Sequence, residues 1–214
     1  MDLGIAGRVC VVTGAGDAIG LETARLLRAE GAKVLLVAGD AGRLAEVAEG
    51  LDGGEEELAT LPLDLTEPDA GEQMLGAALT NFGGIDVLVD DAGARRHGDG
   101  LEIPDADWRA EYERGVKAPM RAMKAIAPVL AERGWGRIVN VMPEHAVTKA
   151  AELSLSRLFA DRFVADGVLI NALTPAAATA REIAATIVFL CSERASYVAG
   201  AAWPADAARA QVID

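Results

Sequence analysis

The chain is 214 residues long, 51% hydrophobic and only 4% aromatic, enough to bury one substantial core and, by its length, to form a single domain over residues 1–214. A formal net charge of -13 argues against nucleic acid or an anionic membrane surface as partner and gives a phosphorylated ligand no long-range attraction. Cys10 and Cys191 stand far apart in apolar runs and read as small buried hydrophobes of a reducing compartment, and with two histidines they build no metal site. A basic segment followed by an apolar leader is absent, as is any apolar run of about twenty residues, so the cytoplasm is the expected location.

Arg8 to Val12 is a short β-rich run ending in Thr13-Gly14-Ala15-Gly16, followed by helical spacing through Leu21, Ala24, Leu26 and Leu27 to Gly31. Val34 to Val37 is a second apolar run, and Arg43 to Leu51 has helical spacing before the acidic, Gly-rich stretch from Asp52 to Glu57. Ala59 to Leu63 predicts a third strand, a helix follows through Met74, Leu75 and Leu79, and Ile85 to Val89 is an apolar strand interrupted by one acid, Asp86. Beyond it the pattern predicts one long helix over 105–133, a strand over Arg137 to Val141, a helix over 144–165 and a strand over Val168 to Ala172. A helix over Arg181 to Ser192 and a short strand over Gly200 to Trp203 complete the chain. Strands alternating with helices, and too continuously apolar to be half exposed, predict an α/β fold: a doubly wound parallel sheet of Rossmann type flanked by helices.

Seven motifs in order carry a resemblance. They are Thr13-Gly14-Ala15-Gly16-Asp17-Ala18-Ile19-Gly20, Asp64-Leu65-Thr66, the run Asp86 to Gly93, Gly136 to Val141, Lys149, Asn171 to Pro175, and Ser196 to Gly200. Together the sequence resembles the short-chain dehydrogenase/reductase family over nearly the whole chain. The resemblance implies a Rossmann-type sheet, usually in a tetramer, that binds NAD or NADP at the carboxyl ends of its strands.

Against that pattern several positions differ. A glycine turn before a helix lets backbone approach the pyrophosphate and brings helix N–H groups to it. Gly14, Ile19 and Gly20 are in place, but Ala18 replaces the middle glycine and is expected to crowd the approach, and Asp17 puts a carboxylate beside the phosphates. Where an acid would hold the ribose hydroxyls of NAD, or a base the extra phosphate of NADP, the chain has Ala38-Gly39; Asp40 reads as a helix cap. Asp64 fits the position that meets adenine and reads equally as a turn acid. Asp90-Asp91-Ala92-Gly93 replaces two amides by carboxylates, removing donors and adding charge.

The catalytic positions implied by the resemblance are a tyrosine that exchanges the substrate proton, a lysine four residues later, a serine that orients the substrate, and an asparagine anchoring a proton relay. Here they are His145, Lys149, Pro143 and Gly115, of which only Lys149 retains its type. Pro143-Glu144-His145 also joins strand to helix almost directly, and the segment after Pro175 is short, so both the pocket wall and the substrate lid of the family are expected to be missing.

Three readings follow. The first is a catalytically inactive subunit that binds no cofactor itself and assembles with an active family member carrying NAD, in a hetero-tetramer. The resemblance offers two-subunit dehydrogenases of β-oxidation-like aromatic acyl-CoA degradation as precedent. The contact would run through the helices over 105–133 and 144–165, with their apolar stripes, and through the carboxyl-terminal segment Ala195 to Ala205. The second is an oxidoreductase with weak NAD(P) binding, or a lyase or hydratase using His145 and Lys149 at i, i+4 spacing on one helix face. The third is a ligand-sensing or scaffold protein. Arg95-Arg96-His97, a basic cluster in an acidic chain, reads as a solvated loop.

Overall fold

A computed structural model describes residues 2–54, 56–91, 104–142, 148–175 and 178–205. Seven strands form one sheet: β1 Val9–Thr13, β2 Lys33–Ala38, β3 Leu58–Pro62, β4 Val87–Asp90, β5 Gly136–Val141, β6 Val168–Pro175 and β7 Ala202–Ala205. All neighbours pair parallel in the order β3-β2-β1-β4-β5-β6-β7, so the order reverses between β1 and β4. Seven α-helices connect them: α1 Ala18–Ala29, α2 Ala41–Glu49, α3 Ala70–Phe82, α4 Asp105–Tyr112, α5 Ala118–Glu132, α6 Lys149–Phe163 and α7 Ala180–Leu190. This is the doubly wound arrangement expected from the alternating pattern.

The strand residues divide by pleat. Cys10 and Val12 point to the face covered by Leu27 of α1, Leu44 of α2 and Ile187 of α7, whereas Val9 and Val11 point to the face covered by Met74 of α3 and Met123 and Ile126 of α5. A sheet buried on both faces needs both alternations to be apolar, which is why Val9 to Val12 of β1 and Val34 to Val37 of β2 read as unbroken apolar runs. Cys10 and Cys191 are free and buried in the first of these cores, and burial pushes the Cys191 thiol up to about 12. Both are packing residues.

The predicted long helix is corrected. Its middle is a π turn, Glu113–Lys117, between α4 and α5. Side chains of α6 press into that turn at Gly115, and a widened turn is how a helix accommodates an intrusion without ending. The stripe along it is also shared: Val116, Met123, Ile126 and Leu130 are buried in this chain's own core, while Trp108 and Tyr112 are exposed. The helix predicted over 144–165 is described as α6 from Lys149, capped by Thr148, and the predicted residues 144–147 lie outside the described residues.

Thr179 begins α7 with a capping box, its hydroxyl accepting from the Glu182 N–H while the Glu182 carboxylate accepts from the Thr179 N–H. Thr179→Ala is expected to cost about 1 kcal/mol and lower the thermal midpoint by about 2–4 °C, measurable by calorimetry.

At the amino ends of the strands the acid that interrupts the β4 run finds its use. Asp86 accepts from the Val9 N–H at 2.9 Å and pairs with Arg8 and Arg133, each at 3.4 Å. The Trp135 indole lies between the guanidiniums of Arg8 and Arg137, at 3.7 and 4.3 Å from the ring centre, and donates to Glu193 at 2.8 Å. Glu193 and Arg194 in turn hold the amino-terminal segment, through the Leu3 and Asp2 carbonyls at 2.9 and 2.8 Å.

Candidate functional site

The sheet's order reversal opens a crevice at the carboxyl ends of β1 and β4, the place where doubly wound sheets bind ligands. Thr13, the last residue of β1, stitches it: its hydroxyl donates to Asp90 at 2.8 Å and accepts from the Asp91 N–H at 2.9 Å. Gly14 follows with φ +62°, and a Cβ there would overlap the Asp91 carbonyl oxygen. A Cβ at Gly20 would likewise overlap the Gly14 carbonyl, so both glycines are required by the turn's own packing.

Beyond the turn lies an open groove of about 380 Å³, whose lining includes Gly14, Asp17, Ala38, Gly39, Asp64 and Arg114. Asp17 is the amino-terminal cap residue of α1, exposed, and its side chain makes no capping hydrogen bond. Ala18 is exposed and lines a surface depression with Leu21, Arg25 and Thr179. Ile19 is partly buried and packs against the core.

Asp40 accepts from the Arg43 N–H at 3.0 Å and caps α2, as its position suggested. Asp64 accepts from both the N–H and the hydroxyl of Thr66, at 2.9 and 2.7 Å, and these bonds hold its carboxyl below the usual range. It therefore forms a turn and lines the groove at once. Burial first, then the charges of Asp90 and Asp17, push the Asp91 carboxyl well up, against the opposing pull of the Gly20 N–H.

Behind the groove is a pocket whose lining includes Asp90, Arg114, Gly115, Asn140, Glu152 and Ser156. Asn140 donates to the Ser156 hydroxyl at 2.8 Å, and Arg114 pairs with Glu111 at 2.6 Å. Thr148, just before α6, donates to Glu152, whose side chain reaches Gly115. A Cβ on Gly115 would stand 2.5 Å from the Glu152 Oε1 and 2.6 Å from the Thr148 Oγ1. Glu152 is only 4% exposed, and burial, reinforced by Asp90 and Glu111 against the opposing Thr148 bond, raises its carboxyl to about 7. The pocket thus holds a carboxyl that changes protonation near neutrality.

Of the predicted catalytic positions, the structure places Gly115 on the pocket wall and Lys149 directly after Thr148 at the start of α6. Pro143, His145 and Gly93 lie outside the described residues, as do Arg95, Arg96 and His97. Glu152, Thr148 and Arg114 were not anticipated. A glutamate in Ala150-Ala151-Glu152-Leu153 reads as a solvent-facing helix residue, and only contact with the bare backbone of Gly115 gives it meaning.

The sequence model for short chain dehydrogenase matches residues 8–187. The chain belongs to that family. The 3-oxoacyl-[acyl-carrier-protein] reductase of Thermotoga maritima is 27% identical over 238 residues, covering 92% of this chain and 95% of the relative. The galactitol 2-dehydrogenase (L-tagatose-forming) of Cereibacter sphaeroides is 30% identical, covering 91% and 92%. Subunit BbsC of the (2S)-[(R)-hydroxy(phenyl)methyl]succinyl-CoA dehydrogenase of Thauera aromatica is 28% identical, covering 91% of each. Among solved structures, the L-sorbose reductase of Gluconobacter frateurii, complexed with NADPH and L-sorbose, superposes with a TM-score of 0.88 at 27% identity, covering 96% of this short-chain dehydrogenase and 97% of the other. These relatives are oxidoreductases by name. Among the described residues, no helix is long and apolar enough to cross a membrane.

Proposed function

We propose that this short-chain dehydrogenase serves NAD(P)-linked oxidoreduction as a subunit that does not itself carry the hydride transfer, packed against a relative that keeps the serine, tyrosine and lysine and holds the cofactor. One observation carries the reading: the space in front of Gly115, where the family resemblance implies a relay asparagine, is filled by the chain's own Glu152 and Thr148. The replacements at Pro143 and His145 point the same way. So does the alignment with the Thermotoga maritima reductase, which runs over 238 residues against a chain of 214 and leaves room for shortened loops. Asp17, an exposed acid at the amino end of α1, fits a pyrophosphate poorly.

The outward faces support assembly. Trp108 and Tyr112 of α4, Leu158 of α6 and Tyr197 of the carboxyl-terminal segment are all exposed, and Ala150, Ala151 and Ser154 of α6 are small and exposed, allowing close approach of a partner helix. BbsC, by its name a subunit of a succinyl-CoA derivative dehydrogenase, is a relative that works as part of a larger enzyme.

A self-sufficient NAD(P)-dependent oxidoreductase is the second reading, favoured by the names of the relatives and by the open groove of about 380 Å³. Native purification separates the two. The subunit reading expects a second family member to co-purify in a hetero-tetramer, and hydride transfer to belong to the pair. A homomer that alone reduces or oxidises substrate with NAD(P) overturns it in favour of the second.

A further inference from the structure

The π turn joins two helices that the fold holds very differently. On one side α5 is locked into the core, with Ala118, Ala122, Met123, Ile126, Ala127 and Leu130 buried. On the other, Glu111 is the one buried residue of α4, and Trp108 and Tyr112, on one face of that helix, are exposed. A π turn carries one residue more than the α-helical turn it replaces, so rewinding it to α-helix rotates one flanking helix against the other by about 100°. Packing leaves α4 as the helix that can move.

A carboxyl props the turn open. Glu152 reaches the bare backbone of Gly115 from α6, and the Thr148 hydroxyl donates to it. The charged groups that face it are Asp90 at the end of β4, Glu111 of α4 and Arg114 of the π turn, while β5 and α5 bring only the uncharged Asn140, Val141 and Pro119 to its pocket. Arg114 is paired with Glu111 at 2.6 Å. An ionised Glu152 therefore meets two acids in a place nearly closed to water, and one of the two, Glu111, is the inward anchor of α4. We propose that Glu152 is the latch of a pH-sensitive switch: protonated, it sits against Gly115 and holds the π turn; on losing its proton to solvent it withdraws, the turn rewinds to α-helix, and α4 rotates with Trp108 and Tyr112. The carboxyl titrates at about 7, so both positions are reached close to neutrality.

Tryptophan fluorescence of the full chain tests it, because Trp108 rides on α4 while Trp135 and Trp203 lie elsewhere. Acrylamide quenching is followed from about pH 5.5 to 8.5 in wild type and in Trp108→Phe, and the difference isolates Trp108. A rotation of about 100° is expected to change the quenching of Trp108 by about twofold or more, in one transition centred near pH 7. The Trp108→Phe protein, which reports Trp135 and Trp203, is expected to show no such transition. In Glu152→Gln, which keeps the shape of the latch and cannot ionise, Trp108 is expected to hold its low-pH value throughout. A wild-type Trp108 signal that is flat across the range overturns the proposal, as does a transition that survives in Glu152→Gln or appears equally in Trp108→Phe. None of these results bears on the subunit reading, which depends on what co-purifies.

Discussion

Glu152→Gln is expected to stabilise the protein by about 2–3 kcal/mol at pH 8 and to leave it unchanged at pH 4. The folded-state carboxyl titrates at about 7, raised from 4.5, chiefly by burial and then by Asp90 and Glu111. Below the lower value the group is protonated whether the chain is folded or not, and it contributes no pH dependence. Between the two values the folded state keeps a proton that the unfolded state has released, so each unit of rising pH costs about 1.4 kcal/mol. Above the upper value the whole penalty is present and constant. Stability from this group is therefore full at low pH and lost as pH rises through about 7. Glutamine keeps an acceptor for the Thr148 hydroxyl and carries no charge. Urea denaturation of both proteins from pH 4 to pH 8.5 reads the difference directly, and parallel curves would show that Glu152 is not held in a raised state.

Gly115→Asn is expected to destabilise the fold by about 2–3 kcal/mol, because its Cβ would stand 2.5 Å from one buried oxygen and 2.6 Å from another. In a chain that already carries Glu152→Ala the same asparagine is expected to cost far less, its amide entering the space the carboxyl leaves. The coupling energy of the two changes should then reach about 1–3 kcal/mol, measured as a double-mutant cycle by chemical denaturation. Additive effects would mean that the side chains do not share one space. An asparagine restored at 115 alone is thus expected to damage the protein without restoring a relay, since the room for it has been reassigned.

The fold was largely legible because its signal is repetitive: Val34 to Val37 and Val168 to Ile170 needed only their unbroken apolar character to be read as strands buried on both faces. Sequence spacing could not give the π turn at Glu113–Lys117, since Glu152 and Thr148 crowd it at Gly115 from a distant part of the chain and it leaves the apolar period almost intact. The site was legible in its substitutions and less so in their replacements. Gly115 announces an absent side chain, but nothing in the order of residues says that Glu152 fills the gap. Asp91 stands out as an acid where the family pattern has an amide, yet the bond of its N–H to the Thr13 hydroxyl depends on the carboxyl ends of β1 and β4 meeting.

The tie between the amino-terminal segment and Glu193 and Arg194 has a temporal consequence. Asp2 leaves the ribosome 192 residues ahead of its partner Arg194. At about 5–20 residues per second the segment waits roughly ten seconds or more before its anchor exists. Through that interval β1 can pair with β2 but its leading end stays unsecured, accessible to proteases and chaperones. Closing so long a loop is also entropically late, so the Trp135 clasp is expected to form as the final act of folding and to report, through tryptophan fluorescence, the moment the chain becomes whole.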